Sequence, residues 1–395
     1  MSELLGLRAT VIGAGIGGLA VARALALRGA HVKVIEQAPE ITEVGAGLQI
    51  SPNGLCVLRA LGLEQALVAT GAVQARAVRL FDYRGDEVVA LDLMRLEDQR
   101  YYFVHRADLI GVLEQGAREA GVEIELGRRV SYVADADNGH APKLHFDGGQ
   151  EEHADLIIGA DGLHSRVRPV LNGPEEPFFT GQVAWRAVVP NRWGVGPDAR
   201  VHMGPGRHLV SYPLRGGEYL NIVAAQERRG WAEEGWALRD DPANLRAAFA
   251  DFCAQVREML DAVETVFLWG LFRHEVAQAW HGQALALVGD AAHPTLPFMA
   301  QGAVMALEDA WVLADALAGA DEIAAGLAAY QARRRARAVR VINTATDNAW
   351  KYHLKFPPLR FAAHAVMRLG GQVAPEKMMR QFDWLYGYDV TKPGA

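Results

Sequence analysis

Residues 8–36 restrict what the start of this chain can fold into. Arg8-Ala-Thr-Val-Ile12 is a short β-branched run that breaks into Gly13-Ala-Gly15-Ile-Gly17-Gly18. An alanine- and leucine-rich stretch over 19–27 follows as a helix, and His31-Val-Lys-Val-Ile35 is a second strand that finishes on Glu36. Strand, glycine turn, helix and strand-terminal acid together make a dinucleotide-binding βαβ start. Gly13 permits the tight turn, Gly15 lets backbone approach a pyrophosphate, and Gly18 lets the helix pack against the sheet. The helix N-terminus donates N–H groups to the phosphates. Glu36 is placed to accept from a ribose diol.

The chain has 395 residues, half of them apolar, which is enough for two or three structural units. Its net charge is −7, and the only basic block is Arg333-Arg-Arg335-Ala-Arg337 with Arg340. We read that block as a solvated helix face and expect no nucleic-acid partner. Cys56 and Cys253 are too few for a disulfide framework or a zinc cage. No metal site is expected, and the usage suits a reducing, cytoplasmic setting. No apolar run is long enough to span a bilayer, and no basic leader precedes the first strand, so neither a membrane span nor a secretory leader is expected.

Along the chain the pattern changes twice. Between residues 178 and 271, alternating runs such as Val183-Ala-Trp-Arg-Ala-Val-Val189 and Tyr219-Leu-Asn-Ile-Val223 predict a mostly antiparallel sheet. One helical insertion is expected over 243–260, and residues 77–93 are expected to pair with the sheet. From Ala300 the pattern is helical nearly to the end, broken at Pro357-Pro358.

Two further turns belong to the dinucleotide unit. Asp155-Leu-Ile-Ile158 is an apolar strand running into Gly159-Ala-Asp161-Gly162, with Arg166 and Arg168 close behind. Residues 284–288 read as another central strand, entering Gly289-Asp290-Ala-Ala-His293-Pro-Thr-Leu-Pro297-Phe-Met-Ala-Gln-Gly302-Ala303. An acid at the C-terminal end of a parallel strand faces the ligand crevice. Pro294 and Pro297 oppose helix, so a helix starts only near Gly302, with Val304, Leu307, Ala310, Trp311, Ala314 and Leu317 as its apolar stripe. The Gly302 and Ala303 amides then face an electron-rich ligand edge. His293 is expected to pack or bond within the turn.

With these three motifs, His105-Arg106-Ala-Asp-Leu109 and the 45–53 segment, the chain resembles the single-component FAD-dependent aromatic hydroxylases of the p-hydroxybenzoate and salicylate hydroxylase group. The resemblance spans nearly the whole chain. It implies an α/β fold: a Rossmann-like FAD-binding domain interrupted by a mostly antiparallel β-sheet substrate domain, with C-terminal helices. The expected division is 1–76 with 94–177 and 272–345 for FAD, 77–93 with 178–271 for substrate, and 346–395 as a helical segment.

The resemblance also implies roles. Gly13, Gly15, Gly18 and Glu36 hold the ADP half of FAD, and Arg106 lies along its phosphate and ribityl part. Asp161 meets FAD and the nicotinamide cofactor, Asp290 bonds the ribityl hydroxyls, and the Gly302 and Ala303 amides face the flavin pyrimidine oxygen. Pro297 lies beside flavin and substrate. NADH or NADPH reduces FAD, and O2 adds to give a C4a-hydroperoxide that hydroxylates an activated ring. A phenolate is the better nucleophile, so a base near the substrate helps, and water must be kept out.

His208 and Tyr212 share one face of a strand four residues apart and are the candidate base and its partner. Gln49 and Phe298 are pocket candidates, and Phe298 with Met299 makes an apolar wall where some relatives carry a polar residue. Arg186 and Arg207 are candidates to pair with a substrate carboxylate. Trp231 and Trp236, near Arg228 and Arg229, are read as a surface loop. The expected partners are a small aromatic substrate and, in a homodimer, a second copy of the chain. The alternatives are a ubiquinone-pathway or epoxidase-type FAD monooxygenase, urate-type oxidation, and a non-hydroxylating flavin protein or NADH oxidase. Gly302-Ala-Val304 stands where the ubiquinone branch carries glycine-phenylalanine-asparagine.

Overall fold

Five parallel strands carry the glycine turn, in the order Leu285–Leu287, Leu156–Gly159, Arg8–Ile12, His31–Ile35, Glu123–Glu125. The computed structural model describes residues 4–41, 46–95, 100–137, 140–228, 230 and 238–392. Arg8–Ile12 lies centrally, with Val11 fully buried between a partner on either side. The Leu285–Leu287 strand is an edge strand and not the central one expected. Its outer side is closed off, because the Leu287 amide donates to the Trp280 carbonyl and the Tyr330 hydroxyl donates to the Leu287 carbonyl (2.8 and 2.9 Å). A covered edge is as apolar as a centre, so composition could not separate the two.

The β-rich region forms an eight-stranded sheet: Arg239–Asp240, Val266–Arg273, Phe178–Pro190, Tyr219–Glu227, Arg207–Leu214, Asp198–Gly204, Ala77–Asp82, Glu87–Asp92. Every pairing is antiparallel except Asp198–Gly204 with Ala77–Asp82, so residues 77–92 do join the sheet. The expected single helical insertion is two helices, Pro242–Ala248 and Ala254–Asp261. Between them Phe249 and Phe252 turn inward and meet edge-on at 4.8 Å, and Phe249 also meets Trp185. Burying both rings outweighs one unbroken helix.

The helix Gly302–Ala318 is buried nearly all round, beyond the expected stripe, and Trp311 is only half-buried with the Arg28 guanidinium over its ring. Pro357 and Pro358 open the helix Pro357–Val373, where their missing N–H groups cost nothing. No helix among the described residues is long and apolar enough to cross a membrane.

The arginine block is the main correction. On the helix Ile323–Tyr352, Arg334 is completely buried, and its Nε donates to Asp309 at 2.8 Å while Nη1 lies 2.6 Å from Glu308. Arg337 donates to both Glu308 oxygens and to the Trp384 and Leu385 carbonyls, with its guanidinium over Tyr388. The two carboxylates also reach the other way. Asp309 accepts from the Gly289 amide and bonds His293 at 2.5 Å, and Glu308 accepts from Asn53 at 2.7 Å. His293 therefore packs on Trp280 but bonds the following helix, outside its own turn.

Burial works against the charge on Asp309, but His293 and Arg334 outweigh it and hold the carboxyl down to about 2. A depressed carboxyl stabilises the fold above its unfolded pKa, and that contribution is lost as pH falls toward about 2. Asp309→Asn leaves Arg334 buried without one of its two counter-charges. We expect a loss on the order of 3–5 kcal/mol, measured by urea unfolding near neutral pH, with a smaller difference from wild type as the pH approaches 3 or below.

Candidate functional site: a flavin cradle opening onto an aromatic pocket

Backbone conformation sets the cradle. Gly13 has φ 102°, and a Cβ there would meet the Ala160 carbonyl oxygen at 2.5 Å. A Cβ on Gly18 would lie 1.9 Å from the Gly13 oxygen, so both positions exclude any side chain. Gly15 caps the helix Ile16–Ala26 and has open space on its Cβ side. The Glu36 carboxylate is fixed by the Ala14 and Ala38 amides at 2.8 and 2.9 Å, one on each oxygen, which leaves further lone pairs for a diol.

The second and third turns meet the first at the strand ends. Asp161 accepts from the Arg166 amide at 2.6 Å, while its other oxygen is buried without a hydrogen-bond partner among the described residues. Burial raises its pKa, against hydrogen bonds from Ser165 and Arg166. Asp290 stands in a turn held by Asp309, and burial raises its pKa against the pull of His293 and Arg106. After Pro297–Met299 the chain passes through Ala300 at φ 53°, a left-handed conformation rare outside glycine and costing about 1 kcal/mol or more. That turn delivers Gly302 and Ala303 to the start of their helix.

A continuous cavity of about 360 Å³ runs from this cradle to the large sheet. Gly15, Arg106, Asp290, Pro297, Gly302 and Ala303 line one end. Gln49, Arg186, His208, Tyr212 and Phe298 line the other. Gly13, Gly18, Glu36 and Asp161 are not in the lining; they shape or flank the glycine turn. Arg207 does not line it either, because its guanidinium is held by both Asp251 oxygens at 2.6 and 2.7 Å. Arg186 does, with its guanidinium stacked 3.8 Å over Trp269. Trp231, Trp236, Arg229 and Gly45 lie outside the described residues.

His208 is buried, and its Nδ1 is 2.7 Å from His353 Nε2. Burial, with His353 beside it, pushes its pKa well below that of a free histidine. Burial also raises the Tyr212 phenol, against Arg186 and Gln49, which favour its ionised form. The Tyr101 hydroxyl donates to Gln49 Oε1 at 2.7 Å and fixes that amide. Sequence reasoning missed Tyr101, Tyr352 and Tyr386, which line the pocket from elsewhere in the chain, and His353, which stands behind His208. The adjacent Tyr352-His353 pair after a long helical pattern, and the aromatic cluster Trp384-Leu-Tyr386-Gly-Tyr388, were the available signals.

The observations fit a flavin dinucleotide: a glycine open toward the cavity, a buried carboxylate oxygen without a partner, and two acids at parallel strand ends. The comparisons agree. Residues 7–345 match the family described as FAD binding domain. The chain belongs to the FAD-dependent aromatic hydroxylases. It is 35% identical to a 3-amino-4-hydroxybenzoate 2-monooxygenase of Streptomyces cremeus, over 98% of this chain and 97% of that one. A 3-hydroxybenzoate 6-hydroxylase of Polaromonas naphthalenivorans is 34% identical over 96% of each. Among solved structures, Klebsiella pneumoniae HpxO, complexed with FAD and uric acid, aligns with TM-score 0.83 and 26% identity over 96% of both chains.

This monooxygenase therefore takes FAD, O2 and NAD(P)H. When bound, FAD supplies the redox and oxygen chemistry. The residues that would hold it are those of the glycine turn and of Gly302-Ala303, through their amides, and Asp290, through its carboxylate. Asp290→Ala is expected to weaken FAD retention by tenfold or more, measured as the yellow fraction surviving gel filtration and by apoprotein titration. Retention equal to wild type would remove Asp290 from the flavin contacts.

Proposed function

We propose that this enzyme hydroxylates an aromatic ring that carries both a phenolic hydroxyl and a carboxylate, a hydroxybenzoate or related heteroaromatic acid. The observation that carries this is the convergence of Arg186, Tyr212 and His208 on the cavity that continues into the flavin cradle. Arg186 offers the charge for a carboxylate, and its stacking on Trp269 holds the fork in place. His208 takes the phenolic proton, with Tyr212 beside the same ring, and Pro297 and Phe298 form the wall between ring and cofactor. Gly13, Gly15, Gly18, Glu36, Arg106, Asp161, Asp290, Gly302 and Ala303 are the proposed cofactor contacts.

In the same reading, residues 77–93 with 178–271 are the substrate-binding unit, and the setting is cytoplasmic. The relatives named for hydroxybenzoates support the substrate class. Leu296, Phe298 and Met299 make the cofactor-side wall apolar, which favours a ring with a further substituent over a small polar one. The proposed homodimer has support in the outer face of the helix Pro357–Val373, where Phe361, Val366, Leu369 and Val373 are all exposed. Light scattering checks it, with twice the 42.9 kDa of one chain expected.

The test is a panel of phenols, each with and without a ring carboxylate, scored by stimulation of NAD(P)H oxidation and by hydroxylated product. Wild type is expected to prefer the acids. Arg186→Ala is expected to raise KM for the acids about 10- to 100-fold and to leave KM for the uncharged phenols nearly unchanged. No stimulation by any phenolic acid would overturn the proposal. An equal effect of Arg186→Ala on both series would reject the carboxylate assignment.

A further inference from the structure

Three side chains from separate parts of the fold form a line leading outward from the pocket. His208 lies on the strand Arg207–Leu214, Glu227 ends the neighbouring strand Tyr219–Glu227, and His353 follows directly on the long helix Ile323–Tyr352. His208 Nδ1 is 2.7 Å from His353 Nε2, and His353 Nδ1 is 3.1 Å from Glu227 Oε1. The far carboxylate oxygen pairs with Lys355 at the surface. Both imidazoles are nearly inaccessible, whereas the Glu227 side chain is 35% exposed. The line thus begins in the cavity and ends at water.

The charged end fixes every proton. A carboxylate only accepts, so His353 Nδ1 carries hydrogen and its Nε2, in the neutral ring, accepts. His208 must then donate from Nδ1, which leaves its Nε2 lone pair for the cavity that the ring lines. Backbone holds the register: the Gly206 amide donates to the His353 carbonyl, and the Glu227 amide donates to the Gly206 carbonyl. Burial lowers the pKa of His353, with Glu227 opposing, so both rings rest neutral near pH 7. Burial also disfavours charge on Glu227, yet Lys355 and His353 hold its pKa below the usual carboxylate range. Among the described residues, Phe298 and Tyr352 also pack on the line, with their rings 5.6 and 5.4 Å from that of His208. Arg207, next on the strand, is committed to Asp251.

We propose that His208, His353 and Glu227 form a proton-transfer chain that carries the substrate's hydroxyl proton from the pocket to solvent. The phenolic O–H breaks and an N–H forms at His208 Nε2. The His208 Nδ1 proton passes to His353 Nε2, and the His353 Nδ1 proton passes to Glu227 and on to water. No electrons move, and the ring is left as phenolate, the form that an oxygen electrophile attacks. The proposal rests on the phenolic-acid reading given above. His353 and Glu227 act through His208 and so are positioning residues.

The experiment follows 4-hydroxy-3-nitrobenzoate, whose phenolate absorbs visible light, after rapid mixing with holoenzyme at several pH values. In wild type the bound probe is expected to ionise quickly, and the rate falls as acid protonates Glu227. Glu227→Gln and His353→Gln are expected to bind the probe but ionise it about tenfold more slowly or worse, and Glu227→Gln loses the acid limb of the profile. External imidazole is expected to restore the rate in His353→Gly. Glu227 is at the surface, so its variant tests the chain even where a His353 variant does not fold. Wild-type rates and pH profiles in Glu227→Gln would overturn the chain while leaving the phenolic-acid reading intact. Failure of the wild type to bind or ionise any phenolic acid would overturn both.

Discussion

Glu308 and Asp309, adjacent on one buried helix, hold the turns that bring Asp290 and Gly302 to the cavity. Asp309 holds the Gly289 amide and His293, and so places Asp290. Glu308 holds Asn53, which with Ser51 and Gln301 joins the start of the Pro52–Ala60 helix to the turn before Gly302. Arg334 and Arg337 neutralise the pair from the long C-terminal helix, and Arg337 also grips the Trp384 and Leu385 carbonyls beside Tyr386. Desolvating two carboxylates costs several kcal/mol each unless they are paired and hydrogen-bonded. Here each has both, so the favourable arrangement is also a narrow one. A helix that drifted would strand a charge.

The site consequently divides its labour between backbone and side chains. At the end proposed for the cofactor, glycines expose amides at two helix starts, and Glu36, Asp161 and Asp290 contribute half-buried carboxylates. At the substrate end, rings from four distant segments close the wall: Tyr101, Tyr212, Phe298 and Tyr386. Bare backbone suits a cofactor whose phosphates and carbonyls need donors in fixed places. A largely apolar wall, aliphatic and aromatic, suits a reaction that competes with water. Arg186 and His208 are the charged and titratable exceptions on the sheet side of that wall.

The glycine-turn half of the cavity was legible because its signals are local. Gly13, Gly18 and the Ile12 strand end lie within a few residues, and backbone sterics dictate glycine there whatever the rest of the fold does. Asp290 and Gly302 were legible for the same reason, through strand-end and helix-start rules. Arg334 was not. In a run of arginines, nothing within several residues distinguishes the buried one, since its partners lie 25 and 26 positions earlier on another helix. His353 and Tyr386 escaped for a related cause: the C-terminal segment has no motif of its own, and only the tertiary fold returns it to the pocket. The edge position of Leu285–Leu287 was hidden because Trp280 and Tyr330 cover it.

The central claim is that oxygen is delivered in this cavity to an aromatic acid. Isotopically labelled dioxygen tests it most directly, with holoenzyme, NAD(P)H and the phenolic acid that best stimulates oxidation. Mass spectrometry of the product is expected to show one labelled oxygen atom on the ring, with little labelled hydrogen peroxide. Label confined to peroxide and water, with the aromatic acid recovered unchanged, would contradict it.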